Sequence, residues 1–400
     1  MTPLFRKFLG MNWLLVLNMF ALIVFGVICI YSATNFKTGV VHGIWSKQVI
    51  FCGLGTLFFI VAALLDYRWV LWGGIPLYII GIVLSIAALL GVGGGDGVAA
   101  HNAGLVIFGI NVQPSQIAIA GGIIVMALVL GHLHKVHPIF RHHLLRLGIV
   151  GVVCMVPFGI VLLQGDFGSA IVWLPVAFSM LLVGSIPFRY IIVVSQIGLV
   201  LIPWAYFFGL KPHQKERIEV YISLLLDKKV DAQGNAYAAI NIMKAVGSGG
   251  FNGKGFLAEK SVNNLGFIPQ VTAHNDFIFA VLAEEFGFKG SILLLAGFAL
   301  LLIQMLFIGF YSRDPIGRLI TVGVVALFFA HIFQHVGMNI LIMPITGIPL
   351  PFISYGGTFA VICMFLVGMV QSVWVHRLIA DANQRSSGGN AFEPPAPNFG

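Results

Sequence analysis

Charge is scarce in this 400-residue chain: Asp, Glu, Lys and Arg together make up 9% of it. A soluble domain carries about a quarter. With 59% hydrophobic residues and a mean hydropathy of +0.99, the shortfall excludes an ordinary cytosolic enzyme, a nucleic-acid-binding module and a disordered protein. Cysteine is scarce too. Cys29, Cys52, Cys154 and Cys363 all sit inside apolar runs with no metal or redox spacing, so they read as structural thiols. The run from Trp13 to Tyr31, behind Arg6 and Lys7, is too long for a signal-peptide core and is followed by more spans. It reads as a first membrane helix.

What the chain has in place of charge is length of apolar run. Windows of about 20 residues fall at 12–31, 46–65, 69–91, 114–133, 148–163, 168–184, 188–208, 290–310, 319–341 and 356–376. The reading is an all-α polytopic membrane protein of about ten transmembrane helices, with one long extracytoplasmic loop between helices 7 and 8. An even number of spans puts both termini on one side. Placed in the cytoplasm, the inner segments hold Arg6, Lys7, Arg68, Lys135, Arg141, Arg146, Arg189, Arg313, Arg318, Arg377 and Arg385, against Lys37 and Lys47 in the short outer loops. That is the positive-inside bias. The net charge of +8 thus speaks of topology and anionic lipid, with no nucleic-acid partner.

The long loop, about 209–275, is the one large polar segment. The spacing of Ile218, Tyr221, Ile222 and Leu225, and of Ile240, Ile242, Met243 and Val246, predicts short amphipathic helices on the membrane surface. Residues 383–400 are rich in Ser, Gly, Pro and Asn and read as a disordered cytoplasmic tail. Ten of the fourteen carboxylates fall at or near the outer face, so chemistry is expected there. The histidines His132, His134, His137, His142 and His143 read as a solvated basic inner loop.

Four stretches carry that chemistry. Asp276, in His274-Asn275-Asp276, sits where the long loop re-enters the membrane. At a helix start its pKa is expected to fall, with a plain helix cap as the bland alternative. Glu284 and Glu285, just over two turns on, are expensive at membrane depth unless they face a polar cavity. Asp166, in Gln164-Gly165-Asp166, is either a turn aspartate or a cavity group. The glycine-rich run 247–255 with Lys254 could cradle phosphate or simply flex. In Pro349-Leu-Pro-Phe-Ile-Ser-Tyr-Gly-Gly-Thr358, irregular backbone must be buried or line a cavity.

Together GSGGFNGKG, HNDFIFAVLAEEFG, TGIPLPFISYGGT, QGDFGSA and QPS resemble the SEDS family (shape, elongation, division and sporulation), in its RodA-like form, over most of the chain. The resemblance implies one membrane domain over 1–382. It also implies a peptidoglycan glycosyltransferase that polymerises lipid II outside the cytoplasmic (inner) membrane, serving cell elongation and rod shape. Its partners would be a class B penicillin-binding protein and other elongation-complex membrane proteins. Asp276 takes the position of the family's proposed catalytic aspartate, and Asp166 that of its D-x-G-T/S-A acid. Substrate and cavity contacts would come from Asp166, Glu284, Glu285, Gln113, Ser115, Ser354 and Tyr355. The leaving diphosphate would be met by Lys254, Arg217, Lys215 or Lys211, or by a divalent cation such as Mg or Mn. The alternatives are a non-catalytic scaffold for the penicillin-binding protein and a flippase of lipid-linked precursors. Where the family reads QPSE-x-x-K, this chain has Gln116 and Ile119. Ala100-His101-Asn102 replaces an arginine-tryptophan pair, and the loop PQVTAHND is about two residues longer than usual.

Overall fold

In the computed structural model the described residues are 3–35, 43–91, 104–107, 110–133, 137–204, 207, 209–231, 233–234, 236–269 and 271–377. Lys37, Asp96, Ala100-His101-Asn102, His134, Lys135 and the tail from Asn383 lie outside them. Among the described residues eight helices are long and apolar enough to cross a membrane. They are joined by two shorter apolar ones. In chain order the helices are α1 (Pro3–Leu9), α2 (Trp13–Asn35), α3 (Ile44–Leu64), α4 (Tyr67–Leu89), α5 (Pro114–Leu128), α6 (His143–Gln164), α7 (Phe167–Val183), α8 (Phe188–Trp204), α9 (Pro212–Leu225), α10 (Tyr237–Gly249), α11 (Ile278–Tyr311), α12 (Pro315–Asn339) and α13 (Gly357–Val375). The ten expected spans correspond to α2 to α8 and α11 to α13.

The bundle is built around α5, whose residues from Pro114 to Leu128 are buried on nearly every side. A helix apolar all round belongs in such a centre. It meets α4 backbone to backbone. A Cβ on Gly121 would fall 2.4 Å from the Tyr78 nitrogen, and one on Gly81 would fall 2.4 Å from the Ala118 nitrogen. With no solvent to drive helices together, such close packing through small residues is what holds them. Three aspartates begin helices at the linkers. Asp66 accepts the Arg68 amide, Asp166 the Ser169 amide and Asp314 the Ile316 amide, each satisfying an otherwise orphan donor. Asp314 also accepts the Tyr67 hydroxyl at 2.6 Å and lies 3.6 Å from Arg68, which ties α4 to the start of α12.

Three features depart from the sequence reading, and one agrees with it. A short antiparallel hairpin, β1 (Leu105–Ile107) with β2 (Ile110–Val112), pairs Leu105 with Val112 in the segment before α5. Helix α11 begins well before residue 290 and breaks at Gly287 (φ 64, ψ −162), so 278–286 is a separate short helix. The predicted amphipathic helices exist as α9 and α10, and Ile222 and Leu225 of α9 are exposed as a membrane-facing stripe would be. In α10 the buried stripe is instead Ala239, Ile242, Ala245 and Gly249, with Met243 exposed. Ala239, Ala245 and Gly249, the small residues of this stripe, let α10 lie on α11: a Cβ on Gly249 would fall 2.1 Å from the Ala283 carbonyl.

Candidate active site

The site is assembled at the end of the bundle where α6 turns into α7. Gly165 (φ 95) ends α6 in the left-handed region, a conformation that suits glycine. The sharp turn delivers Asp166 to the start of α7. Helix α9 lies over this turn. Its Gln214 side chain donates to the Gly165 carbonyl at 3.1 Å. Arg217 donates to the Ile345 carbonyl at 3.3 Å and Tyr221 to the Ile342 carbonyl at 2.6 Å. Residues at i, i+3 and i+7 share one helix face, and this face roofs a narrow cleft lined by Gly165, Phe167, Gln214, Arg217, Pro344 and Thr346.

Asp276 sits beside this cleft against Gly347 (φ 73), where an added Cβ would fall 3.4 Å from its Oδ2. Its backbone is pinned from three directions. Asn339 of α12 donates to the Asp276 carbonyl at 3.0 Å, Ser354 donates to the Asn275 carbonyl at 2.7 Å, and the Tyr355 amide donates to the His274 carbonyl at 2.9 Å. The proline- and glycine-rich segment after α12 thus serves to hold the loop that carries Asp276. That segment is itself held from below: His335 Nδ1 donates to the Ile348 carbonyl at 2.7 Å and His331 Nδ1 to the Pro349 carbonyl at 3.2 Å. The spacing His331, His335, Asn339 puts three polar groups on one face of α12. That spacing was a readable signal, which the sequence reading passed over.

The expected lowering of the Asp276 pKa is overturned. The residue that starts α11 is Phe277, with no side-chain capping bond, so the carboxylate is not placed as a helix cap. It keeps partial access to solvent but lies deep among protein atoms. Burial pushes it up to about 6, the charge of Asp166 adds to the rise, and Arg217 opposes both. Desolvation of a carboxylate outweighs the favourable cation.

The other candidates are placed elsewhere. Lys254 pairs with Glu284 at 2.6 Å, and Glu284 is fully buried; its Oε1 also accepts the Val262 amide at 2.7 Å. Glu285 accepts the Ser32 hydroxyl of α2. The acidic pair is therefore a clasp within the fold, and the charge of Lys254 is already met. The glycine-rich run is likewise tied to the helix that carries this pair, with Lys254 N–H on the Glu284 carbonyl at 2.9 Å and Gly255 N–H on the Glu285 carbonyl at 3.0 Å. Lys215 donates to the Phe207 carbonyl, and Lys211 starts α9 as an exposed residue. Gln113 starts α5 without a side-chain capping bond. Ser115 and Gln116 are buried, the Ser115 hydroxyl and the Gln116 carbonyl oxygen having no partner, and Ile119 is buried beside them. Among the described residues no three His, Cys, Asp or Glu side chains gather to hold a metal.

A family model described as "Cell cycle protein", covering the FtsW, RodA and SpoVE proteins, matches residues 12–378. The chain belongs to this family. It is 32% identical over 368 residues to the peptidoglycan glycosyltransferase MrdB of Escherichia coli K12, covering 91% of this chain and 93% of that one. It is 30% identical to a probable peptidoglycan glycosyltransferase FtsW of Trichlorobacter lovleyi, over 90% of this chain and 92% of that one. Among solved structures, a chain from a peptidoglycan synthase complex that coordinates polymerization and crosslinking superposes with a TM-score of 0.74 at 25% identity, covering 92% of this chain and 98% of the other. The rod shape determining protein RodA of Thermus thermophilus gives a TM-score of 0.63 at 22% identity, over 92% and 97%, a likeness of fold. Membership of this family accounts for the largely helical, multi-pass architecture.

Proposed function

We propose that this chain is a peptidoglycan glycosyltransferase that joins lipid II units into glycan strands at the outer face of the cytoplasmic membrane, in the service of rod shape. The observation that carries the reading is the setting of Asp276: one carboxylate, beside Asp166 and Arg217, held at the rim of a cleft by three backbone clamps.

The reaction joins the hydroxyl oxygen of an acceptor sugar to the anomeric carbon of a donor sugar, as the bond from that carbon to the lipid diphosphate breaks. The hydroxyl proton passes to Asp276. A carboxylate with a pKa near 6 is a better base than an ordinary aspartate and is still ionised at neutral pH. Asp166 keeps that basicity raised. Arg217 is the cation at hand for the departing diphosphate, since Lys254 is held by Glu284. The clamps from Asn339, Ser354 and Tyr355 fix the base before substrate arrives, which is the condition for efficient proton transfer. With both termini on the cytoplasmic side, the cleft opens outward, where a crosslinking partner of the class B penicillin-binding type would receive the strand.

The test is polymerisation of labelled lipid II by the purified protein, alone and with its transpeptidase partner, the products resolved by gel. Strands from the wild type and none from Asp276→Asn are expected. Equal strands from both would remove Asp276 from the chemistry. No strands from the wild type under either condition would favour the scaffold reading.

A further inference from the structure

Arg146 lies in the first turns of α6, at the opposite end of the bundle from the cleft. Only 3% of its surface is exposed. Its guanidinium folds back along the helix, so that Nη2 donates to His143 Nδ1 at 2.6 Å. Nε and Nη1 are buried and have no partner. The guanidinium therefore sits over the amino-terminal turn of its own 22-residue helix, whose starting residue, His142, makes no side-chain capping bond. A helix start carries partial positive charge and unused N–H donors. A cation placed there repels it, and a buried cation without a counter-charge is costly.

Among the described residues no carboxylate pairs with Arg146. The sequence holds no Asp or Glu between Asp96 and Asp166. Helix α6 packs against α4, α5 and α7, and the charged or titratable groups next to its start in the sequence are His137, Arg141, His142 and His143. Of the described carboxylates at this end, Asp314 is engaged with Tyr67 and Arg68, and Asp66 caps α4. Leu144 and Leu145, between His143 and Arg146 in the sequence, are exposed, at 63% and 38%, and Ile139 is exposed at 57%. A buried cation over the unused N–H donors of a helix start, next to exposed leucines, matches a phosphate carried on an acyl chain.

We propose that Arg146, His143 and the amino-terminal amides of α6 bind the phosphate of an anionic phospholipid in the cytoplasmic leaflet. The leaflet follows from the orientation given above; the site itself does not depend on the glycosyltransferase reading. The full protein in nanodiscs of phosphatidylcholine, with and without phosphatidylglycerol, tests this by hydrogen exchange of the amides of residues 143–147. Protection on adding phosphatidylglycerol is expected, and no change would overturn the proposal. In detergent, phosphatidylglycerol titrated against thermal unfolding should bind wild type at least about tenfold more tightly than Arg146→Gln, as loss of charge-assisted hydrogen bonds implies. Equal affinity for both proteins would overturn it, as would inorganic phosphate reproducing the whole effect. The exchange measurement needs no variant and stands even if Arg146→Gln fails to fold. Lipid II polymerisation, run on the same nanodiscs, reports separately on the cleft.

Discussion

Lys254 and Glu284 meet at 2.6 Å, and Glu284 is left with no solvent exposure at all. The contact joins the glycine-rich loop to the short helix that follows Asp276. Removing the lysine alone strands a buried carboxylate, so Lys254→Met should lower stability by about 2 kcal/mol, less than a fully buried pair would lose because Lys254 is partly exposed. Glu284→Gln keeps an acceptor for the Val262 amide and should do less harm. The double variant should recover much of the loss, giving a positive coupling in a double-mutant cycle. Thermal unfolding of the four proteins in detergent measures it; additive losses would mean that the pair is not coupled.

The same loop crosses α11 at Gly287. A Cβ on Gly287 would fall 2.3 Å from the Gly253 nitrogen, and its φ of 64° with ψ of −162° lies in a region open essentially to glycine. On either side of the break the loop completes the helix backbone: the Phe288 amide donates to the Gly250 carbonyl at 2.9 Å and the Gly255 amide to the Glu285 carbonyl at 3.0 Å. Gly287→Ala should therefore destabilise by at least about 2 kcal/mol, read as a lower unfolding temperature. An unchanged temperature would show that the break relaxes into continuous helix.

The spans were legible because each is a local property of about 20 residues; Trp13–Asn35 and Gly357–Val375 could hardly be read otherwise. The hairpin Leu105–Val112 was not, since three-residue strands carry too little pattern to stand out from a loop. Asp276 was found from its motif and its place at the loop's return to the membrane. Its proton affinity was misjudged because Asp166 and Arg217, on distant segments, decide it together with burial. Lys254 was offered to the substrate for the same reason: a sequence shows a lone lysine after glycines, and only the fold shows Glu284 opposite it.

The two neighbours of Asp276 act on it in opposite senses, which makes its titration testable in the reaction itself. Polymerisation should fall as pH drops through about 6, when the carboxylate is protonated. Asp166→Asn keeps a helix-capping side chain but removes a repelling charge, so the acid limb should move to lower pH. Arg217→Gln removes an attracting charge, so the limb should move to higher pH. Initial rates of lipid II polymerisation against pH for the three proteins decide this. A limb that stays in one place in both variants would assign the titration to another group.

Raising the pKa of Asp276 also leaves a mark on stability. The folded protein holds this proton at about 6, against a usual value of 3.8. Between those values the folded state binds more protons than the unfolded one. The stabilisation from this group is therefore fully present below pH 4 and is lost as pH rises through 6. At neutral pH the ionised carboxylate works against the fold. Asn stands in for the neutral form, so Asp276→Asn should unfold at a higher temperature than wild type at pH 7.5, and the difference should shrink as the pH falls toward 4. A variant that is both inactive and more stable at neutral pH marks a residue kept for chemistry at the expense of the fold. If it were less stable at every pH, the carboxylate would be holding the loop together, and its loss of activity would say nothing about proton transfer.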